Sequence, residues 1–405
     1  MTLIDPERAE RLTLAIRAAG WDAMVCAYPK NVLLLAGYWP IIGNSIAVAD
    51  REGRRVLLVP SDEKEYAART NADEVLTFHS GEAPLEDVRE CLTGMLQPYS
   101  RPGSRIAIER GPLTQEASYV GMTNYGFGIS QLVRQILPHC SIESAGIVCS
   151  PERAVLTVYE QEKLRRASKI AQGGFERGAS LLNVEMTELE CAQAFEAPLS
   201  ILAHDYSDVL RACGLVSCMS GERSGQAYGA FAMSSHRRIR AGDLLLVHCN
   251  SQADGFWTDV TRTYVLGNIP DRIYRMYEAL LEASQAGIAS VKAGIPAREV
   301  DRAVRETLRE QRFGEAFKHD AGHGVGYSAI DHTAIPRLQK DSPDVLESGM
   351  AMNIEPGIYL EHFGGMRQCD MVLVTETGAE VLTPFHNTIE ELHVRATAGN
   401  LKEYA

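Results

Sequence analysis

The stretch from Leu244 to Thr263, LLLVHCNSQADGFWTDVTRT, contains two apolar runs separated by a polar turn. Its first apolar run closes at His248, and its second run carries Asp259 in the interior. Two such runs in succession predict the paired strands of a hairpin. The sequence therefore predicts a His and an Asp on neighbouring strands as the first candidate site residues.

Three later segments also carry polar residues of catalytic type. They are Ala321–Gly326 (AGHGVG), Asn353–Tyr359 (NIEPGIY) and Gly365–Val374 (GMRQCDMVLV). Glycines on both sides of His323 let the backbone crowd around its imidazole. Taken singly, each segment has an ordinary structural interpretation, since a lone His is usually a hydrogen-bonded core residue and Glu-Pro-Gly is a common turn. Their combination indicates a site.

In the first 150 residues, helical patterns alternate with strand patterns. Asp5-Pro6 predicts a helix start, and Asp50–Gly53 predicts a hairpin turn between two apolar runs. Two further apolar runs, Ala23–Tyr28 and Val32–Leu35, are grouped with the strands. The pattern predicts an α/β domain with a mixed sheet, whose role is structural or dimerising because it lacks a cluster of catalytic residue types.

A second region begins with a long helical pattern over residues 159–182. Thr187 and Glu190 predict a capping box for the next helix. Strands then follow, together with two helices predicted over 271–292 and 297–311. We place the domain boundary so that residues 1–155 form the N-terminal domain and residues 156–405 form the catalytic domain.

Composition restricts the partners and the compartment. The 405 residues include 40 Lys+Arg and 53 Asp+Glu, a net charge of −13, which argues against a nucleic-acid or anionic membrane partner. The most apolar stretch, Val32–Gly43, is too short for a membrane span of about 20 residues. The nine cysteines form no CxxC pair, and the N-terminus shows no signal-peptide pattern. We therefore predict a cytoplasmic protein.

In this order, the four segments resemble the creatinase/prolidase/methionine-aminopeptidase superfamily. The matching runs are Gly255–Thr263, Gly322–Gly326, Ile354–Tyr359 and Arg367–Asp370, with Asn31–Tyr38 similar to an N-terminal prolidase segment. The resemblance implies an α+β catalytic domain of the pita-bread fold, a curved antiparallel sheet covered by helices. It also implies a homodimer, since relatives commonly complete each active site with the N-terminal domain of the partner.

The resemblance further implies five metal ligands, and this chain keeps three of them as Asp259, His323 and Glu355. Counting eleven residues back from Asp259 reaches His248, where the family has an Asp. Cys369 stands where the family has a bridging Glu.

Two more positions concern the family's histidines. An upstream His of the family falls on Phe231, which cannot transfer a proton. His332 resembles the second His of the family, although it follows His323 by nine residues rather than the usual seven.

These departures bear on the metal. Two divalent ions sharing a water need carboxylates that neutralise and bridge them, and His248 and Cys369 remove two carboxylates. We predict a single divalent ion, zinc or iron before manganese, held by Asp259, His323 and Glu355 with His248 or Cys369 added. The alternative is metal-free catalysis as in the creatinase branch, against which Phe231 counts.

The predicted function is hydrolysis of a C–N bond in a small nitrogenous substrate, such as a dipeptide, an amide or a cyclic amino-acid derivative. His332 is the candidate for stabilising an oxyanion or protonating the leaving nitrogen. Without metal, His323 or His332 would activate water while Glu355 orients a cationic substrate group. Arg262 and Arg367 are interpreted as internal partners of nearby carboxylates. The alternatives are a metal-free amidinohydrolase or amidohydrolase and a non-catalytic homologue.

Overall fold

The computed structural model describes residues 5–41, 45–79, 84–109, 125–229, 233–331 and 333–394. Two predicted site residues, Phe231 and His332, lie outside these ranges. The chain divides into two compact units, Met1–Arg153 and Ala154–Ala405. None of the helices in the described ranges combines the length and apolar character that crossing a bilayer requires.

The N-terminal unit is an α/β unit with a mixed sheet. Its strands are β1 Ala23–Cys26, β2 Ile46–Asp50, β3 Arg55–Pro60, β4 Glu74–Phe78, β5 Arg105–Ile108 and β6 Ser141–Ser144. Its helices are α1 Pro6–Ala18, α2 Pro29–Ala36, α3 Lys64–Ala67, α4 Pro84–Leu96, α5 Tyr125–Ile136 and α6 Gly146–Ala154, which ends at the boundary. The described strands follow the order β4-β3-β2-β1-β5-β6.

The helix start and the turn predicted from the sequence are both present in the N-terminal unit. Asp5 caps α1, since its carboxylate accepts the Arg8 backbone N–H at 3.1 Å. β2 and β3 are antiparallel, and the Asp50 carboxylate accepts the backbone N–H groups of Glu52 and Arg54 in the turn between them. Both the helix start and the hairpin are confirmed.

The grouping of Val32–Leu35 with the strands is wrong. These residues lie inside α2, which begins at Pro29 and ends with Gly37 in the left-handed conformation. Proline at the first helical position and glycine just past the last are the usual start and stop of a helix. The four apolar residues are buried all round the helix, which is why their run lacks the spacing of an amphipathic helix.

The second unit contains the segments that suggested a site. Its helices are α7 Val158–Leu181, α8 Glu188–Leu202, α9 Asp271–Ser290 and α10 Arg298–Glu310. Its strands are β7 Ala212–Ser220, β8 Leu244–Ala253, β9 Phe256–Leu266, β10 Ala351–Ile354, β11 Gly357–Leu360, β12 Gly364–Arg367, β13 Asp370–Val374, β14 Ala379–Val381 and β15 His393–Val394. The described sheets have the orders β15-β9-β8-β7, β10-β13-β14 and β11-β12, antiparallel except for the parallel β15/β9 pair.

The predicted hairpin over Leu244–Thr263 is confirmed as β8 and β9, and the capping box at Thr187 is present. Helices pack on one face of β9, where the Phe195 ring of α8 lies 5.6 Å from the Tyr264 ring. Because side chains alternate along a strand, Asp259 and Thr261 point to the opposite face. An isolated bridge between Thr261 and Cys369 joins β9 to the start of β13 on that side.

Candidate active site

The β8/β9 hairpin brings His248 against Asp259. Asn250 faces Asp259 and His248 faces Thr261 in the strand register, so the two side chains meet diagonally. His248 Nε2 lies 3.0 Å from Asp259 Oδ1, in a site where the Asp259 side chain is 3% exposed. Burial by itself raises the pKa of Asp259, but the His248 imidazole and its hydrogen bond outweigh burial and hold that pKa below its ordinary value. The ionised carboxylate accepts, so His248 Nε2 carries the hydrogen.

The glycine-rich loop places His323 on the other side of Asp259. A Cβ at Gly322 would lie 2.1 Å from the Asn353 carbonyl oxygen, and a Cβ at Gly324 would lie 2.2 Å from that of Ile335. Only glycine permits this close approach. His323 Nδ1 donates to the Gly324 carbonyl at 3.0 Å, which turns Nε2 towards Asp259 Oδ2 at 3.7 Å. The lone pair of His323 Nε2 therefore faces the site.

Asn353 is a site residue that sequence reasoning missed. Its side-chain oxygen accepts the His323 backbone N–H at 2.7 Å. Its amide nitrogen lies 3.3 Å from Asp259 Oδ2 and 3.4 Å from His323 Nε2. The signal was available, because Asn353 and Glu355 are two residues apart at the end of β10 and an Asn at that alternation can face the same site.

Cys369 lies beneath Asp259. Its Sγ is 3.1 Å from the Asp259 carbonyl oxygen and 3.9 Å from Oδ1. Complete burial raises the pKa of the Cys369 thiol well above its ordinary value, and the charges of Asp259 and Glu355 raise it further. The thiol is therefore neutral and donates to the backbone carbonyl.

Glu355 faces the cation of Arg367. Arg367 Nη1 lies 3.7 Å from Glu355 Oε2, and Arg367 Nε donates to Thr261 Oγ1 at 3.1 Å. Burial alone lowers the pKa of Arg367, but Tyr359, Glu355 and other neighbouring acidic groups outweigh it and raise that pKa above its ordinary value. A guanidinium cannot lose its charge in a protein, so this site contains a fixed positive charge.

His319 and Tyr359 form a second pair missed by sequence reasoning. His319 Nδ1 donates to the Asp320 carbonyl at 2.8 Å, so Nε2 accepts the Tyr359 hydroxyl at 2.9 Å. Burial lowers the pKa of His319 and raises the pKa of Tyr359 to about 12. His319 precedes His323 by four residues, and that spacing was the signal for a second imidazole near the loop.

Arg262 lies on the helix-facing side of β9, where its role is structural. Its guanidinium donates to Asp370 Oδ1 at 2.6 Å and to the carbonyl oxygens of Phe385, Thr383 and Cys369 at 2.8–2.9 Å. The Asp370 pairing agrees with its interpretation as an internal partner of a carboxylate. Arg262 fixes the short connection between β12 and β13 that carries Cys369.

The donor set can be compared with what a metal centre needs. Two divalent ions require carboxylates that neutralise about four positive charges. The predicted ligand positions supply two carboxylates, Asp259 and Glu355, and Arg367 offsets one of these charges. Within the described ranges, no three His, Cys, Asp or Glu side chains are grouped so that they could hold an ion. The residues present do not fit a paired-metal centre.

Comparison with known proteins identifies sequence matches in both units. The profile of metallopeptidase family M24 matches residues 162–376, and that of the creatinase/prolidase N-terminal domain matches residues 8–118. An Xaa-Pro dipeptidase of Pyrococcus furiosus is 29% identical over 377 residues, which cover 93% of this chain and 97% of the relative.

Solved structures give the same result for the fold. The prolidase from Pyrococcus horikoshii OT3 superposes with a TM-score of 0.75 at 25% identity, covering 93% of this chain and 98% of that one. The prolidase from Pyrococcus furiosus superposes with a TM-score of 0.73 at 26% identity, covering 92% and 99%. Both likenesses span the two units.

Proposed function

Because the chain belongs to metallopeptidase family M24, we propose that it hydrolyses the C–N bond of a small nitrogenous substrate, either a dipeptide or another small amide. The resemblance to the creatinase/prolidase superfamily is confirmed, as is the architecture of an α/β N-terminal domain followed by a pita-bread catalytic domain. The substrate class and the roles of individual residues are part of the proposal.

The proposed hydrolysis rests on one observation, which is that the ionised Asp259 carboxylate lies between two imidazoles. Asp259 accepts from His248 on one side and lies 3.7 Å from His323 Nε2 on the other. An imidazole nitrogen that carries no hydrogen and lies next to a carboxylate is suited to take a proton from water. His323 is the proposed base, and Asp259 and Asn353 orient it.

The opposite side of the site suits substrate orientation. Glu355 is the group that would bind a cationic substrate nitrogen, and its carboxylate lies 3.7 Å from the Arg367 guanidinium. His332 stays the predicted donor to the oxyanion or the leaving nitrogen, on the resemblance alone. These roles require no proton from Cys369.

The prediction of a single ion, zinc or iron before manganese, stays a prediction. Its ligands would be Asp259, His323 and Glu355, with His248 or Cys369 added, and it would polarise the scissile carbonyl. The metal-free alternative is favoured by one contact, the hydrogen bond between His248 and Asp259. A homodimer and a cytoplasmic location also stay predictions, and light scattering tests the first against the 44.5 kDa chain mass.

A substrate panel tests the proposal. Purified protein is incubated with dipeptides, aminoacyl amides and cyclic amino-acid derivatives, and products are followed by mass spectrometry. We expect turnover of at least one compound, lost in Glu355→Gln and His323→Asn. Glu361→Gln is the matched control, since the Glu361 side chain is 88% exposed and lies outside the site. A panel without any product would favour the non-catalytic alternative.

Gly-Pro and Ala-Pro form a separate arm of this assay. The bond before proline is a hindered tertiary amide that needs strong electrophilic activation, which the loss of two carboxylates and the presence of Phe231 weaken. We expect negligible hydrolysis with manganese, cobalt or zinc in excess. Turnover in the usual enzyme range of about 1–10³ per second would show that the chain retains ordinary prolidase chemistry.

A further inference from the structure

We propose that His248 and Arg367 act as built-in partners of Asp259 and Glu355, so that the site works without a bound metal ion. The contacts of both carboxylates are already supplied by the chain itself. The inference rests on the proposed function only where activity is measured, because metal content is a property of the protein whatever its substrate.

The Asp259 carboxylate already has two hydrogen-bond donors. Its Oδ1 accepts from His248 Nε2 at 3.0 Å, and its Oδ2 accepts from Asn353 Nδ2 at 3.3 Å. An ionised carboxylate can only accept, so His248 Nε2 holds a hydrogen and has no lone pair to offer an ion. An ion bound to Asp259 would have to share each carboxylate oxygen with one of these hydrogen bonds, and His248 Nε2 could not ligate it while donating. His248 therefore competes with a metal instead of ligating it.

The Glu355 carboxylate lies beside the positive charge of Arg367. The Arg367 guanidinium lies 3.7 Å from the Glu355 carboxylate, and both side chains are less than a tenth exposed. A divalent ion at Glu355 would lie beside a fixed positive charge with little water to screen it. Two carboxylates and one guanidinium leave a net charge of −1, counting −2 and +1, which is far too little to balance the four positive charges of two divalent ions.

Cys369 supplies a thiol where the family has a carboxylate. The family's bridging Glu is replaced by a side chain whose Sγ lies 3.1 Å from the Asp259 carbonyl. A thiol that donates there is engaged with the backbone and brings no negative charge. Of the two ligand positions at which the chain departs from the family, His248 adds a donor to Asp259 and Cys369 removes a carboxylate. Both changes act against metal binding.

Metal content tests the inference directly. The full chain is purified from cells grown with zinc, iron and manganese, and its metals are counted by inductively coupled plasma mass spectrometry. We expect far less than one ion per chain, and the same activity before and after chelation. One zinc or iron ion per chain, lost on chelation together with activity, would overturn the inference and establish the single-ion prediction.

A pair of double variants supplies the second arm. His248→Asp with Cys369→Glu should bind manganese or zinc at least about tenfold more tightly in calorimetric titration, because affinity follows ligand charge. The matched control is His362→Asp with Cys213→Glu, which adds the same carboxylates at exposed positions. Equal affinity in the wild type, the site variant and the control would contradict the inference. If the site variant fails to fold, the metal count of the wild type decides alone.

Discussion

Two buried arginines flank Cys369, and their surroundings differ. Arg262 directs all five of its N–H groups to acceptors, which are Asp370, Asn387 and four backbone carbonyls. In the part of the chain that the structure describes, Arg367 has fewer acceptors: Thr261 Oγ1, the Tyr359 hydroxyl, and Glu355 at 3.7 Å, longer than a hydrogen bond.

The difference separates structure from function. A guanidinium whose donors are all satisfied within the chain fixes the fold, because any change leaves several buried carbonyls unpaired. A guanidinium that faces a carboxylate at a longer distance retains donor capacity for a substrate. Both residues were interpreted from the sequence as partners of carboxylates, and the count of their acceptors distinguishes them.

Removing Arg262 should have the largest effect. Arg262→Met leaves Asp370 as a buried unpaired charge, and breaking such a pair costs about 3–5 kcal/mol. The free energy of unfolding from urea titration measures it. Arg262→Lys is the control, because it keeps the charge and loses the planar fork. A loss of stability below about 1 kcal/mol in Arg262→Met would show that the acceptors find other donors.

Arg367→Lys should affect activity before stability. Lysine keeps the charge near Glu355 but cannot reproduce the guanidinium geometry, and kcat should fall about 10²-fold, as on loss of one preorganised donor. Its loss of stability should be smaller than that of Arg262→Lys. The reverse order of stabilities would erase the distinction between the two arginines.

One tyrosine lies near each arginine, and replacing either tyrosine should have a smaller effect on stability. The Tyr264 hydroxyl hydrogen-bonds with His386 Nδ1 at 2.9 Å near Arg262, and Tyr359 donates to His319 Nε2 at 2.9 Å near Arg367. Each change to Phe should cost about 1 kcal/mol in unfolding free energy. Only Tyr359→Phe should change kcat/KM. An equal change in kcat/KM in both variants would indicate that this parameter reports stability alone.

The smallest effect is on the pH dependence of stability. Burial, followed by the charge of Arg262, lowers the pKa of His386 below its ordinary value of about 6.5. The unfolded chain then binds the proton first, so stability decreases as pH falls below about 6.5 and is unaffected above it. His386→Gln should flatten this slope in unfolding curves recorded from pH 7.5 to pH 5. An unchanged slope would assign it to other groups, His319 among them, whose pKa is also lowered.

Sequence alone predicted the fold because its signals are local and ordered. The helix start at Asp5, the capping box at Thr187 and the hairpin of β8 and β9 depend on neighbours within a few residues. The assignment of Val32–Leu35 to a strand was wrong because a short apolar run does not distinguish a buried helix from a strand.

The site was less predictable because its geometry depends on distant residues. The spacing of His248 and Asp259 marked two ligand positions, yet their mutual hydrogen bond follows from strand register and side-chain rotamers. The spacing of Asn353 from Glu355 could indicate that both face one site, but it does not show that Asn353 reaches both Asp259 and His323. Those contacts depend on how distant segments pack.

The Arg262 network also has a consequence for the protein during its synthesis. The acceptors at Thr383, Phe385 and Asn387 lie 121–125 residues beyond Arg262 in the chain. At ribosomal rates of about 5–20 residues per second, these acceptors are synthesised about 6–25 s after Arg262. β9 is therefore made before several acceptors of its buried arginine exist, and the second unit cannot complete this network until the segment around residue 387 has been synthesised.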